Sequence, residues 1–239
     1  MMSDQPESVH GTAKLLASQR TYYNERADDY GDPSKPPDRK GRSVMKPELS
    51  RALIDELRPA GDVLELACGT GYFTDEIVRH ARSVTAVDAS PRMLAINERR
   101  VADPRVTYVN ADIFAWQPDR SCDTVFFGAW LSHVPPAAFD DFWALVRTCL
   151  APDGRVAFVD EDDRAAGLDD RYSLNGVPAA RRRLSDGREF EIVKVFWRPE
   201  DLEDRLRSSG WDITIRRVDE TLMYGVGRHG ARHKRAPPG

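Results

Sequence analysis

The stretch VLELACGTGYFT, residues 63–74, decides the fold. An apolar run interrupted by one acid, Glu65, leads straight into a small-residue loop with glycines at 69 and 71. Such glycines let backbone approach a ligand with no Cβ in the way, and a loop that opens a helix also offers its N-terminus. Outward from this stretch the chain alternates. LSRALIDEL (49–57) reads as a helix, DVLELA (62–67) as a strand, TDEIVRHA (74–81) as a helix and SVTAVDA (83–89) as a strand. PRMLAINERRV (91–101), RVTYVNAD (105–112), CDTVFFGAW (122–130), PPAAFDDFWALVRTCL (135–150) and GRVAFVD (154–160) continue as helix, strand, strand, helix and strand.

Apolar strands separated by short helices build parallel β-α-β units with right-handed crossovers and both sheet faces covered. The expected fold is α/β, a doubly wound, mostly parallel seven-stranded sheet. Beyond residue 160 the alternation breaks: residues 161–180 read as an excursion, and 188–197, 199–210 and 211–228 as strand, helix and strand. Residues 12–30 carry Leu15, Leu16, Gln19, Tyr22, Tyr23, Arg26 and Tyr30 at helical spacing, and GDPSKPPDRKG (31–41) stops that helix. The expected organisation is a disordered tail over 1–11, a helical lid and loop over 12–48, one domain over 49–227 and a disordered basic tail over 228–239.

With 239 residues, 41% hydrophobic and 31% charged, the chain suits one globular domain. A net charge of -4 argues against a general nucleic-acid binder, which needs a basic excess for phosphate contacts. Cys68, Cys122 and Cys149 are odd in number and set in apolar surroundings, so they read as reduced core thiols in a cytoplasmic protein. The N-terminus lacks the apolar core of a signal peptide, and no run approaches the roughly 18 apolar residues of a membrane helix.

In an open parallel sheet the ligand lies at the carboxyl ends of the strands, which puts Glu65 to Gly71 at the mouth of the first. Asp88 ends the second strand, 23 residues beyond Glu65, where a carboxylate accepts hydrogen bonds from both ribose hydroxyls. Thr74 stands where a dinucleotide fingerprint has its third glycine, and no P-loop lysine is present. A negative Glu65 repels a pyrophosphate and suits the ammonium of a methionine moiety. The loop therefore fits S-adenosylmethionine better than NAD.

ELACGTG (65–71), VDAS (87–90), NADIF (110–114), DTVFFGAWLSHVP (123–135) and LAPDGRVAFVD (150–160) together resemble the motif series of class I S-adenosylmethionine-dependent methyltransferases. The resemblance implies that Glu65, Ala67, Gly69 and Gly71 line the methionine part, that Asp88 holds the ribose and that Ala89 and Met93 flank the adenine. It also implies that Asp112 with Ile113 reads the adenine amino edge and that Gly128 lies under the sulfonium. Ala67 departs from the glycine common there. Taken alone, the glycines also suit an ordinary strand-to-helix turn, Asp112 a helix cap and Met93 plain core.

His133 follows the fourth strand on the side where acceptors enter, as a general base or as a residue that orders the loop. Trp130 is a pocket wall or a core aromatic. Lys194 sits among Ile192, Val193, Val195 and Phe196, so it either points to solvent or enters a polar site. In the second case Arg182 and Lys194 converge on an anionic acceptor. RRRLSDGREFEIVKVFWRPEDLEDRLRSSGW (181–211), with the motifs above and RTYYNERADDY (20–30), is similar to the dehydrophos-type phosphonate O-methyltransferases. That likeness implies acceptor contacts from Arg182 and Lys194, and a lid in which Tyr23, Arg26 and Tyr30 fold over the cofactor, with Arg26 or Tyr23 near its carboxylate.

The acidic run 160–163 cannot turn all its side chains to one ion, so no metal is expected. The function expected is methyl transfer from S-adenosylmethionine to oxygen of a small phosphonate, phosphate or carboxylate in natural-product metabolism, releasing S-adenosylhomocysteine. The alternatives are N-methylation of a small amine, with His133 as base, and a non-catalytic cofactor-binding module. The expected partner is a small-molecule acceptor, with neither nucleic acid nor membrane, and a homodimer is the assembly considered.

Overall fold

The computed structural model describes residues 5–30 and 47–230. The expectations for residues 1–4, for the proline-rich loop within 31–46 and for 231–239 lie outside the described residues.

The main sheet is built from β1 (Gly61–Leu66), β2 (Ala81–Asp88), β3 (Val106–Asn110), β4 (Cys122–Gly128), β5 (Leu150–Glu161), β9 (Trp211–Arg217) and β10 (Leu222–His229). Their order is β3-β2-β1-β4-β5-β10-β9, parallel from β3 to β5, with β10 antiparallel to both its neighbours. The strand order reverses between β1 and β4, so the crossovers diverge there and leave a crevice at the carboxyl ends.

Side-chain alternation sorts the two faces. Leu64, Leu66, Val125, Phe127, Val156 and Phe158 pack toward α5 (Phe139–Cys149) and α6 (Pro199–Ser208). Val63, Phe126, Ala157 and Val159 pack toward α2 (Pro47–Leu57), α3 (Thr74–Ile77) and α4 (Pro91–Val101). Helix α5 buries Phe139, Phe142, Trp143, Val146 and Cys149, a helical stripe facing the sheet. Helix α4 starts where Ser90 accepts the Met93 N–H at 3.1 Å, with Pro91 in the first turn, so its start is fixed beside Asp88.

A second sheet, unanticipated by the alternation, is an antiparallel meander of β6 (Arg171–Leu174), β7 (Val177–Arg183) and β8 (Glu189–Val193). Its first hairpin turns on Asn175 and Gly176, both at positive φ (51° and 81°), as a two-residue turn of matching twist requires. Residues 188–197 therefore do not supply a strand of the main sheet. Residues 211–228 supply two, because Asp219 accepts the N–H groups of Thr221 and Leu222 and folds the segment into a hairpin.

Helix α1 (Gln5–Glu25) starts inside the stretch expected to be a tail. An added Cβ at Gly11 would come within 2.8 Å of Asn175, so this glycine admits the hairpin. Leu15 packs with Val177, Ala179, Val193 and Val195, and Tyr22 with Ala180, Leu184 and Ile192. Strand β10 runs to His229, past the expected end at 227, because His229 pairs with Trp211. No helix among the described residues is long and apolar enough to cross a membrane.

Candidate active site

A cavity of about 540 Å³ opens at the β1/β4 divergence, between the main sheet, α1 and the small sheet. Its size falls within the roughly 300–1,000 Å³ of small-molecule sites. Fifteen of the seventeen site residues expected from sequence line it: Tyr23, Arg26 and Tyr30 from the N-terminal segment, Ala67, Gly69, Asp88, Ala89, Met93, Asp112, Ile113 and Gly128 from the main domain, and Trp130, His133, Arg182 and Lys194.

Asp88 holds the loop at its carboxyl end. Its Oδ2 accepts the Gly69 N–H at 2.9 Å and its Oδ1 the Ser90 N–H at 2.8 Å, so one carboxylate joins the glycine loop to the start of α4. Burial raises its pKa, against the lowering by backbone N–H groups of Ser90, Gly69 and Ala89. Ala67 and Ala129, directly after β1 and β4, both adopt left-handed backbone (φ 54° and 52°) at the divergence point. For alanine that conformation costs about 1–2 kcal/mol, a strain concentrated where the cavity floor is formed. At Gly128 an added Cβ would come within 2.2 Å of the Phe73 ring.

Glu65 and Gly71 do not line the cavity. Glu65 faces the α3 side, 1% exposed, and accepts the Thr74 hydroxyl at 2.6 Å. Burial drives its pKa up to about 8, which favours the neutral carboxylic acid near pH 7. The electrostatic argument against a pyrophosphate is correspondingly weaker for this residue. Thr74, where a third glycine was missing, serves Glu65 and also accepts from Asn97 Nδ2 at 2.9 Å. Gly71 (φ 83°) is glycine because Asn97 packs against it, 2.4 Å from where a Cβ would stand.

Asp112 lines the cavity and takes the capping role considered for it. Oδ1 accepts the Phe114 N–H at 3.1 Å, capping the turn, and Oδ2 pairs with Arg20 at 2.7 Å. Met93 is 2% exposed yet lines the cavity. Trp130 also lines it, tilted against Phe114 at 5.7 Å between ring centroids.

At the other end, β7 turns Arg181 and Arg183 outward and Arg182 inward, where it pairs with Asp169 at 2.6 Å. Lys194 is buried as well. Its Nζ donates to Ser132 Oγ at 2.8 Å and pairs with Glu161 at 2.8 Å. His133, on the 3₁₀ turn Leu131–His133, has Nδ1 2.8 Å from the Val193 carbonyl and Nε2 2.8 Å from the Tyr23 hydroxyl. Burial, and then the Lys194 charge, hold the His133 pKa well below the ordinary value, so the ring is neutral. A carbonyl partner requires the proton on Nδ1, so Nε2 accepts and Tyr23 donates. In this arrangement the Tyr23 hydroxyl proton is directed to His133.

Sequence reading missed Gln19, Arg20, Ser132, Asp160 and Glu161. Gln19 Oε1 accepts the Val193 N–H at 3.0 Å, and its Nε2 donates to the His133 carbonyl. Asp160 accepts the Ser132 N–H at 2.9 Å. Gln19 and Arg20 project from the lid helix and Asp160 and Glu161 from the end of β5, and only the tertiary arrangement brings these four to the cavity, whereas Ser132, on the turn Leu131–His133, holds Lys194 from behind. The acidic run divides as expected: Asp162 pairs with Arg164 and Arg217, and Asp163 with Arg217, away from Asp160 and Glu161.

Comparisons with known proteins fit this geometry. A family model described as a methyltransferase domain matches residues 63–154. Trans-aconitate 2-methyltransferase of Escherichia coli O1:K1 / APEC is 39% identical over 89 residues, which are 36% of this chain and 33% of that protein. That of Enterobacter sp. (strain 638) is 33% identical over the same shares. The chain thus spans about a third of the length of these curated relatives. Among solved structures, a DhpI complex with SAH is 38% identical with a TM-score of 0.76, covering 92% of this chain and 99% of that one. A DhpI complex with SAM and HEP is 37% identical with a TM-score of 0.77, covering 90% and 98%.

Proposed function

The chain belongs to the class I S-adenosylmethionine-dependent methyltransferases, and from that premise we propose that it methylates an oxygen of a small anionic acceptor. The observation that carries this reading is the burial of Lys194 and Arg182, 5% and 4% exposed, in the cavity that also contains Asp88 and the Gly69 loop. Buried cations at one end and a ribose-accepting carboxylate at the other suit a donor and an acid held end to end.

The residues fit the cofactor. An added Cβ at Gly69 would meet nothing within 4 Å, so the loop backbone is open to a ligand, and Asp88 stands beside it at the strand end. In this reading Asp88 accepts the ribose hydroxyls, Ala89 and Met93 flank the base, Asp112 with Ile113 reads its amino edge, and Gly128 lies under the reacting end. Bound there, S-adenosylmethionine supplies a methyl whose bond to sulfur breaks as the acceptor oxygen bonds to it, leaving S-adenosylhomocysteine.

The protein's contribution is alignment and exclusion of water. An acid already ionised at neutral pH needs no base. That agrees with His133, whose Nε2 lone pair is engaged by Tyr23 and which acts as a positioning residue. The trans-aconitate methyltransferases are named for a carboxylic acid, which supports an acid acceptor without identifying this chain's own. Incubation with S-adenosylmethionine and separate phosphonates, carboxylates, phenols and amines tests the reading by mass spectrometry. Acids are expected to gain a methyl. Methylation confined to amines or phenols would contradict it.

A further inference from the structure

Arg182 and Lys194, the described cations at the acceptor end, each already have an acid. Arg182 pairs with Asp169, and Lys194 pairs with Glu161 at 2.8 Å, their side chains 4% and 10% exposed. Lys194 and Glu161 both line the cavity. Glu161 ends β5, where pairing with Leu222 of β10 fixes its backbone. The adjacent Asp160 is engaged with the loop, accepting the N–H groups of Ser132 and Glu161. The Tyr23–His133 pair borders the same groups, since Lys194, Arg182 and Glu161 all act on the His133 ring.

This arrangement penalises a plain acid. An anion that takes Lys194 shares the lysine with Glu161 and sets a second negative charge beside a nine-tenths-buried carboxylate. Crowding like charges at a buried site in that way is unfavourable. An acceptor that carries an ammonium near its acid avoids the penalty: the acid goes to Lys194, the ammonium to Glu161, and the local charge is unchanged. Resting on the acid-acceptor reading above, we propose that Glu161 is a specificity residue that reads a protonated amine on the acceptor. The substrate class is then a small amino-substituted acid. Its acid oxygen is already ionised and takes the methyl with its own electron pair, while the ammonium keeps all its protons.

The test compares paired acceptors: β-alanine with propionate, and 2-aminoethylphosphonate with ethylphosphonate. In the unaltered protein, kcat/KM is expected to be about 30-fold or more higher for each amino member. N-acetyl-β-alanine, which lacks the positive charge, is expected to fall to the propionate level. In Glu161→Gln the ratio should shrink to within about threefold, through a higher KM for the amino probes. A ratio near one in the unaltered protein overturns the inference whether or not the variant folds. So does a ratio that survives in Glu161→Gln, or equal use of the N-acetyl probe. If plain acids are methylated as well as their amino partners, this inference alone falls. If no acid is methylated, the acid-acceptor reading falls and takes this one with it.

Discussion

Glu65 is a carboxyl group whose neighbours, and not its residue type, decide its charge. Buried against Thr74, it has a pKa near 8 in place of 4.5. A raised folded-state pKa makes the sign definite: its stabilisation is complete below about pH 4.5 and is lost as pH rises toward and through about 8. Glu65→Gln keeps an oxygen for Thr74 and removes the ionisation. The variant is expected to match the parent near pH 4.5 and to exceed it by about 2–4 kcal/mol near pH 8 in urea unfolding. An unchanged pH slope would show that Glu65 is not the group responsible. The positions of Asp88 and Gly69 at the cavity were legible in the sequence because one ends β2 and the other lies in the loop that follows β1. The charge of Glu65 was not, because it depends on a buried setting completed by Thr74, which lies on a different element.

Helix α1 is held by unlike contacts on its two sides. Leu15 and Tyr22 pack into the small sheet, whereas toward the main domain the helix offers polar links: Arg20 to Asp112, Asn24 to Ser90, and Asp28 just beyond it to Arg92. Exposed ion pairs such as Arg20–Asp112 and Arg92–Asp28 contribute about 0–1 kcal/mol each, so on that side the partly buried Tyr23–His133 and Asn24–Ser90 hydrogen bonds are the firmer links. Gln19 is the buried polar tie, and Gln19→Ala strands the Val193 N–H. A stability loss of about 1–3 kcal/mol is expected, with faster hydrogen exchange concentrated in α1 and β8. A loss spread evenly over the main sheet would contradict this attachment. The apolar and aromatic stripe of α1 was visible in sequence as helical spacing, but the surface it covers was not. That surface is a meander whose Asn175-Gly176 turn was the available hairpin signal, set inside a stretch read as an excursion.

Across the whole molecule, strand alternation gave the doubly wound class and the number seven, although two strands were misassigned. Strand β8 left the main sheet for the small one, and the segment read as a single seventh strand folded into β9 and β10. Local periodicity cannot say which sheet a strand joins, because pairing partners are distant in the chain. The cavity exists because both sheets and α1 meet over the β1/β4 divergence, so its two ends should fail separately. Asp88→Asn is expected to weaken S-adenosylhomocysteine binding by about tenfold or more in calorimetry, since it weakens acceptors for the ribose hydroxyls. Unchanged affinity would remove that assignment. The most direct test of a cofactor end joined to an acid-holding end is Lys194→Met, measured for acid methylation and cofactor binding together. The expected result is a fall in kcat/KM of about 100-fold or more, with the S-adenosylhomocysteine Kd within about threefold of the parent. A matching loss of cofactor affinity, or acid methylation at the parent rate, would contradict it.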